Sequence, residues 1–150
     1  MTAAGIQWPG TMERKVAIRP YCADDEPDLY SLAWSLFGER LGWHDRWTLE
    51  VLETDLVFVA EVQGSTAGYA AVERSGDAVR IEQMLVSPVH DEEHIESRLV
   101  EYAEGYAISL GAGSLQVVVE SDNAQALDFY HGRGFVSLGG DLLELILPSL

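Results

Sequence analysis

The sequence predicts an α+β domain, with a mixed, mostly antiparallel central sheet of about seven strands and about four helices. Three observations predict it. Short β-branched or alternating segments recur along the chain, and those in its middle are joined by short polar links that contain glycine, as hairpin strands are. Longer segments with apolar residues at i, i+3 and i+4 separate the other strands. One stretch, Val117 to Phe135, runs from a β-branched strand through a capped helix and a glycine turn into a new strand.

Composition narrows the class. The chain has 150 residues, 47% of them apolar, enough for one domain with a sizeable core and too apolar for disorder. No apolar run is long enough to span a bilayer, and the N-terminus lacks the charged-then-apolar pattern of a signal peptide. The sole cysteine, Cys22, excludes an internal disulfide, fits a reducing, cytoplasmic setting, and reads as a small packed hydrophobe. The formal net charge is −16, with Lys15 the only lysine. Such a surface repels nucleic acid and anionic membrane and attracts cationic partners, small amines or basic peptides. The same charge also serves plain solubility or salt tolerance. His44, His90, His94 and His131 do not cluster with Cys22, and His90 and His94 straddle a strand-to-helix junction, so no metal site is expected.

In order, residues 1–14 read as a flexible tail, with Gly5, Pro9 and Gly10 and no periodicity, and residues 15–150 as a single domain. Val16 to Tyr21 is a first strand. Asp24 or Asp25 caps a helix to about Phe37, with Pro27 in its first turn and Leu29, Leu32, Ala33 and Leu36 as its apolar face. An aromatic link, Gly38 to Trp47, leads to a short helix ending at Glu53. Leu56 to Val62 and Ala67 to Arg74 form a hairpin around Gly64, and Ser75-Gly76-Asp77 turns into Ala78 to Ser87. Ile95, Leu99, Tyr102, Ala103, Tyr106 and Leu110 keep helical spacing up to Gly111. Leu115 to Glu120 is a strand, and Val117, Val118 and Val119 suit burial on both faces. Asp122 is placed to cap the next helix, with Gln125 in the capping-box position; Ala126, Phe129 and Tyr130 share a face, and Gly132 and Gly134 end it. Phe135 to Leu138 and Leu142 to Leu147 make a last hairpin around Gly139-Gly140-Asp141.

Asn123, Ala126, Phe129, Tyr130, Gly134 and Phe135 fill every slot of a pattern that reads Asn, two residues, Ala, two residues, Phe-Tyr, three residues, Gly-Phe. This stretch resembles the GNAT (general amine N-acetyltransferase) superfamily, and the order of elements over residues 16–147 is that family's order. The resemblance implies the GNAT acyl-CoA N-acyltransferase fold, a sheet splayed at its centre, and acetyl-CoA as cosubstrate. It implies Tyr130 as the acid that protonates the departing thiolate and Asn123 near the pantetheine arm. The plainer reading keeps Phe129 and Tyr130 as core. Ile18-Arg19-Pro20, followed by Asp24-Asp25, also matches a common family opening.

Further expectations follow from the resemblance. The link after the first helix commonly walls the acceptor, so Trp43, His44 and Trp47 are acceptor-site candidates; core under a short helix is the alternative for the tryptophans. The strand ending IEQMLVSP would take the pantetheine arm as an extra edge strand, with backbone groups of Leu85 and Val86 toward the cofactor and the Leu85 N–H as an oxyanion donor. Glu82 lies where some members keep a carboxylate base, and strand alternation leaves it equally readable as a solvated face residue.

The departure comes next. The family follows Val-x-Pro with Arg or Gln, two residues, Gly, one residue, Gly or Ala, opening a helix whose free N–H groups bind pyrophosphate. Here those slots fall in Asp91, Glu92, Glu93, His94, Ile95 and Glu96, with Asp91 in the Arg slot and His94 and Glu96 in the Gly slots. A carboxylate about 6 Å from a phosphate charge costs roughly 3 kcal/mol at an effective dielectric of about 20. Two readings remain. One is an acetyl-CoA-dependent N-acetyltransferase with weakened cofactor binding. The other is a catalytically silent domain of the same fold that binds a different ligand or assembles through its sheet edge and last hairpin, as in a homodimer.

Overall fold

The computed structural model describes residues 16–37, 56–89 and 94–148. Seven strands form one sheet: β1 (Val16–Pro20), β2 (Leu56–Val62), β3 (Ser65–Ser75), β4 (Ala78–Val86), β5 (Ser114–Val118), β6 (Val136–Gly139) and β7 (Leu142–Ile146). Their spatial order is β1-β2-β3-β4-β5-β7-β6. Every neighbouring pair is antiparallel except β4 and β5. The described helices are α1 (Glu26–Phe37), α2 (Ile95–Ser109) and α3 (Ala124–Gly132). The α+β class stands as expected, and so does the order of the described elements along the chain. The fourth expected helix, the N-terminal tail and the aromatic link lie outside the described residues.

Helices cover both faces, which is why Val57, Phe58, Val59 and Ala60 can all be buried in one strand. Leu29 and Ala33 of α1 pack on Val57, Val59, Tyr69, Ala71 and Leu85. Ile95, Leu99, Val100, Ala103 and Ala107 of α2 pack on the opposite face, in the larger cluster that also takes Val117, Tyr130, Phe135 and Leu143. Gly68 is required by close approach. A Cβ there would sit 2.6 Å from the Leu85 carbonyl oxygen and 3.3 Å from Ile95 Cγ2, where β3, β4 and the start of α2 converge.

The start of α1 differs from expectation. A short 3-10 turn, Ala23–Asp25, precedes it, with Cys22 at the N-cap. The Asp25 carboxylate reaches back to accept the Cys22 N–H at 2.9 Å instead of capping forward. It is held there by Arg19, whose Nη1 and Nη2 donate to it at 2.8 and 2.7 Å, while Nη2 also donates to Glu61 at 2.9 Å. The Arg19 side chain thus ties β1, β2 and the entry to α1 together. At α3, Asn123 is the N-cap, where Asp122 was expected. Its Oδ1 accepts the Ala126 N–H at 3.2 Å, which one residue of displacement puts out of reach of Asp122.

Candidate active site

Two irregularities in β4 create the site. The β3–β4 register steps from Ala71↔Gln83 to Val72↔Ile81, which leaves Glu82 as the extra residue of a bulge. The parallel β4–β5 pairing ends at Ile81↔Val117, immediately before that bulge. Beyond it the strands separate, and a cleft of about 850 Å³ opens between them. Its walls are residues 81–86 of β4, residues 117–120 at the end of β5, Asn123, Gln125, Ala126 and Tyr130 at α3, and Glu96 on α2.

Tyr130 lies at the floor. Its hydroxyl donates to Met84 Sδ at 3.9 Å, and its ring stands edge-on to Phe129 and Phe135 at 4.9 and 5.1 Å. Burial, with the Glu96 carboxylate adding to it, pushes the phenol above its ordinary pKa, and Arg133 opposes this in part. Tyr130 is therefore a proton-bearing group at neutral pH, as a general acid must be.

Backbone direction in β4 corrects one expectation. The Ser87 N–H donates to Ala67 O at 2.8 Å. Alternation in an antiparallel ladder then sends the Leu85 and Gln83 amides to β3 as well, and turns those of Met84 and Val86 to the cleft. On this strand the Met84 and Val86 N–H groups point into the cleft, and that of Leu85 points to β3. Leu85 still lines the cleft, but its side chain packs under α1.

Glu82 lines the cleft and is half-buried, so both readings given for it persist in its position. Asn123 also lines it, with its Oδ1 engaged in capping α3. Ile95 is core, not cleft wall. His94 is exposed and is the N-cap of α2, in the left-handed region at φ 55° and ψ 46°. Glu96 borders both this cleft and a neighbouring hollow of about 270 Å³ beside Phe129. Asp91, Glu92 and Glu93 lie outside the described residues, as do Trp43, His44 and Trp47.

Sequence reasoning missed one polar pair. Gln83 is buried, its Oε1 accepts from the Tyr69 hydroxyl at 2.8 Å, and its Nε2 is buried without a hydrogen-bond partner among the described residues. Without knowledge of the bulge, alternation assigns it no face. Among the described residues there is no group of three or more His, Cys, Asp or Glu able to hold a metal ion, and no helix long and apolar enough to cross a membrane.

The strand pair thus splays at a bulge, and the buried Tyr130 hydroxyl reaches toward β4 within the cleft that opens there. The chain belongs to the acetyltransferase (GNAT) family, whose profile matches residues 26–135. Solved structures agree in fold. The PaiA N-acetyltransferase of Thermoplasma acidophilum, solved in complex with coenzyme A, is 16% identical with a TM-score of 0.70, over 88% of this chain and 99% of that one. The ribosomal-protein-S18-alanine N-acetyltransferase of Escherichia coli is 19% identical with a TM-score of 0.71, over 91% and 96%. Ard1 of Thermoplasma volcanium is 19% identical with a TM-score of 0.73, over 89% and 99%. No curated protein matches the chain in sequence.

Proposed function

We propose that the chain transfers an acetyl group from acetyl-CoA to an amine, a small molecule or basic peptide, in the cleft between β4 and β5. The observation that carries this is the buried Tyr130 hydroxyl facing β4 from the cleft floor. Acetyl-CoA supplies an activated acyl carbon on sulfur. Attack by the amine forms the C–N bond as the C–S bond breaks. The Met84 N–H is turned toward the developing charge on the carbonyl oxygen, and Tyr130 gives its proton to the departing sulfur. The amine's proton leaves to Glu82, directly or through water. Trp43, His44 and Trp47 are the acceptor-side candidates. A cytoplasmic setting suits the single thiol.

Tyr130→Phe tests the assignment. Turnover falls about a hundredfold or more where proton donation limits the rate, with coenzyme A affinity little changed. An active enzyme indifferent to the substitution removes Tyr130 from the chemistry. The second reading, a silent domain, is favoured by the carboxylates around the cleft. Absence of any thermal shift with millimolar acetyl-CoA selects it, since a ligand at about 100 times its dissociation constant adds about 2.7 kcal/mol.

A further inference from the structure

The walls of the cleft suit one half of coenzyme A and not the other. Glu82, Glu96 and Glu120 all line it, and among the described residues its lining contains no lysine or arginine. Arg133 lies nearby, but its guanidinium is engaged by Glu104 at 3.4 Å and Glu101 at 4.0 Å. Arg98, on α2, is not part of the lining. Glu96 is the second residue of α2, where a carboxylate offsets the partial positive charge that helix N-terminal N–H groups would offer a phosphate.

The rest of the lining is uncharged. The Met84 and Val86 backbone groups face the cleft, the side chains of Asn123 and Gln125 border it, and Val117 and Val119 contribute apolar wall. That combination matches a chain of two uncharged amides ending in a thioester, and it asks for no charge on the ligand.

We propose that this chain recognises its acyl donor through the neutral pantetheine arm alone, so that phosphate-free S-acyl pantetheine thioesters serve it at least as well as acetyl-CoA. The proposal rests on the reading of the cleft as an acyl-donor site. Glu96 is its specificity-determining residue, acting against the phosphates.

The test is calorimetry on the full chain with two probes, acetyl-CoA and S-acetyl-pantetheine, in low and high salt, on the natural protein and on Glu96→Gln. In the natural protein S-acetyl-pantetheine binds as tightly as acetyl-CoA or more tightly. Raising salt to about 1 M shortens the screening length to about 3 Å and tightens acetyl-CoA selectively. In Glu96→Gln the ratio of the two dissociation constants moves toward acetyl-CoA by about three- to tenfold. The ratio is read within one protein, so a change in folding does not mimic it. Acetyl-CoA binding at least tenfold tighter than S-acetyl-pantetheine in the natural protein overturns the proposal and leaves the acetyltransferase reading intact. Binding of neither probe overturns both.

Discussion

His94 holds a backbone conformation that its side chain disfavours, φ 55°, in the slot where the family pattern has glycine. The left-handed region costs a non-glycine residue about 1–2 kcal/mol, and glycine returns part of that through its freer unfolded chain. The position precedes α2, so the penalty for glycine inside a helix does not apply. His94→Gly therefore stabilises the fold by about 0.5–1 kcal/mol, raising the melting temperature by about 1–4 °C. An unchanged or lower melting temperature contradicts the strain. Asp25 makes the opposite case, a residue held favourably. Hydrogen bonding from Arg19 lowers its pKa to about 2. A carboxylate depressed in the folded state contributes its stability above its unfolded pKa and loses it as pH falls through the folded value. The contribution, about 2 kcal/mol at most, is full above about pH 4 and disappears toward about pH 2. Asp25→Asn is then less stable than the natural protein at pH 7, with the gap closing over that window in denaturant titrations. A constant gap indicates loss of packing instead.

At the level of elements, the cleft depends on β4 bending at Glu82 while β3 stays close to it at Gly68. Gly68→Ala forces a methyl against the Leu85 carbonyl, backbone that cannot swing aside, and destabilises by about 1–3 kcal/mol. Donor affinity falls with it, because the displaced segment is the cleft wall; denaturant midpoints and donor binding measured together check both. The hairpins β2–β3, β3–β4 and β6–β7 were legible in sequence because alternation and glycine turns are local signals. The helix after β5 was legible to within a residue, and its cap was misassigned for that reason: Asp122 and Asn123 are both good caps, and only the position of the Ala126 N–H decides. The bulge was not legible. One extra residue in a strand that already mixes polar and apolar side chains leaves no mark on composition, yet it shifts the register with β3 by a residue where the β4–β5 pairing ends. Motif resemblance pointed to Glu82 and Tyr130, which both line the cleft, but which β4 amides face that cleft required the ladder itself.

For the whole molecule, charge and edge must be considered together. The fold ends in β6, whose four residues, Val136, Ser137, Leu138 and Gly139, are all exposed and carry no charge. Among the described residues, this edge has none of the lysines, prolines or covering helix that usually block pairing with a second strand. At neutral pH the formal charge of −16 keeps molecules apart at a distance before their edges meet. That barrier depends on pH, and it vanishes near the isoelectric point of about 4.3. Light scattering is expected to rise steeply as pH approaches that value, and more so in salt, while Leu138→Lys suppresses the rise without altering the melting temperature at pH 7. Equal scattering by the two proteins would remove β6 as the seed. In colloidal terms, the protein's dispersion rests on long-range repulsion over the whole surface and not on any local guard at the end of its sheet, so mild acidification suffices to make the last strand adhesive.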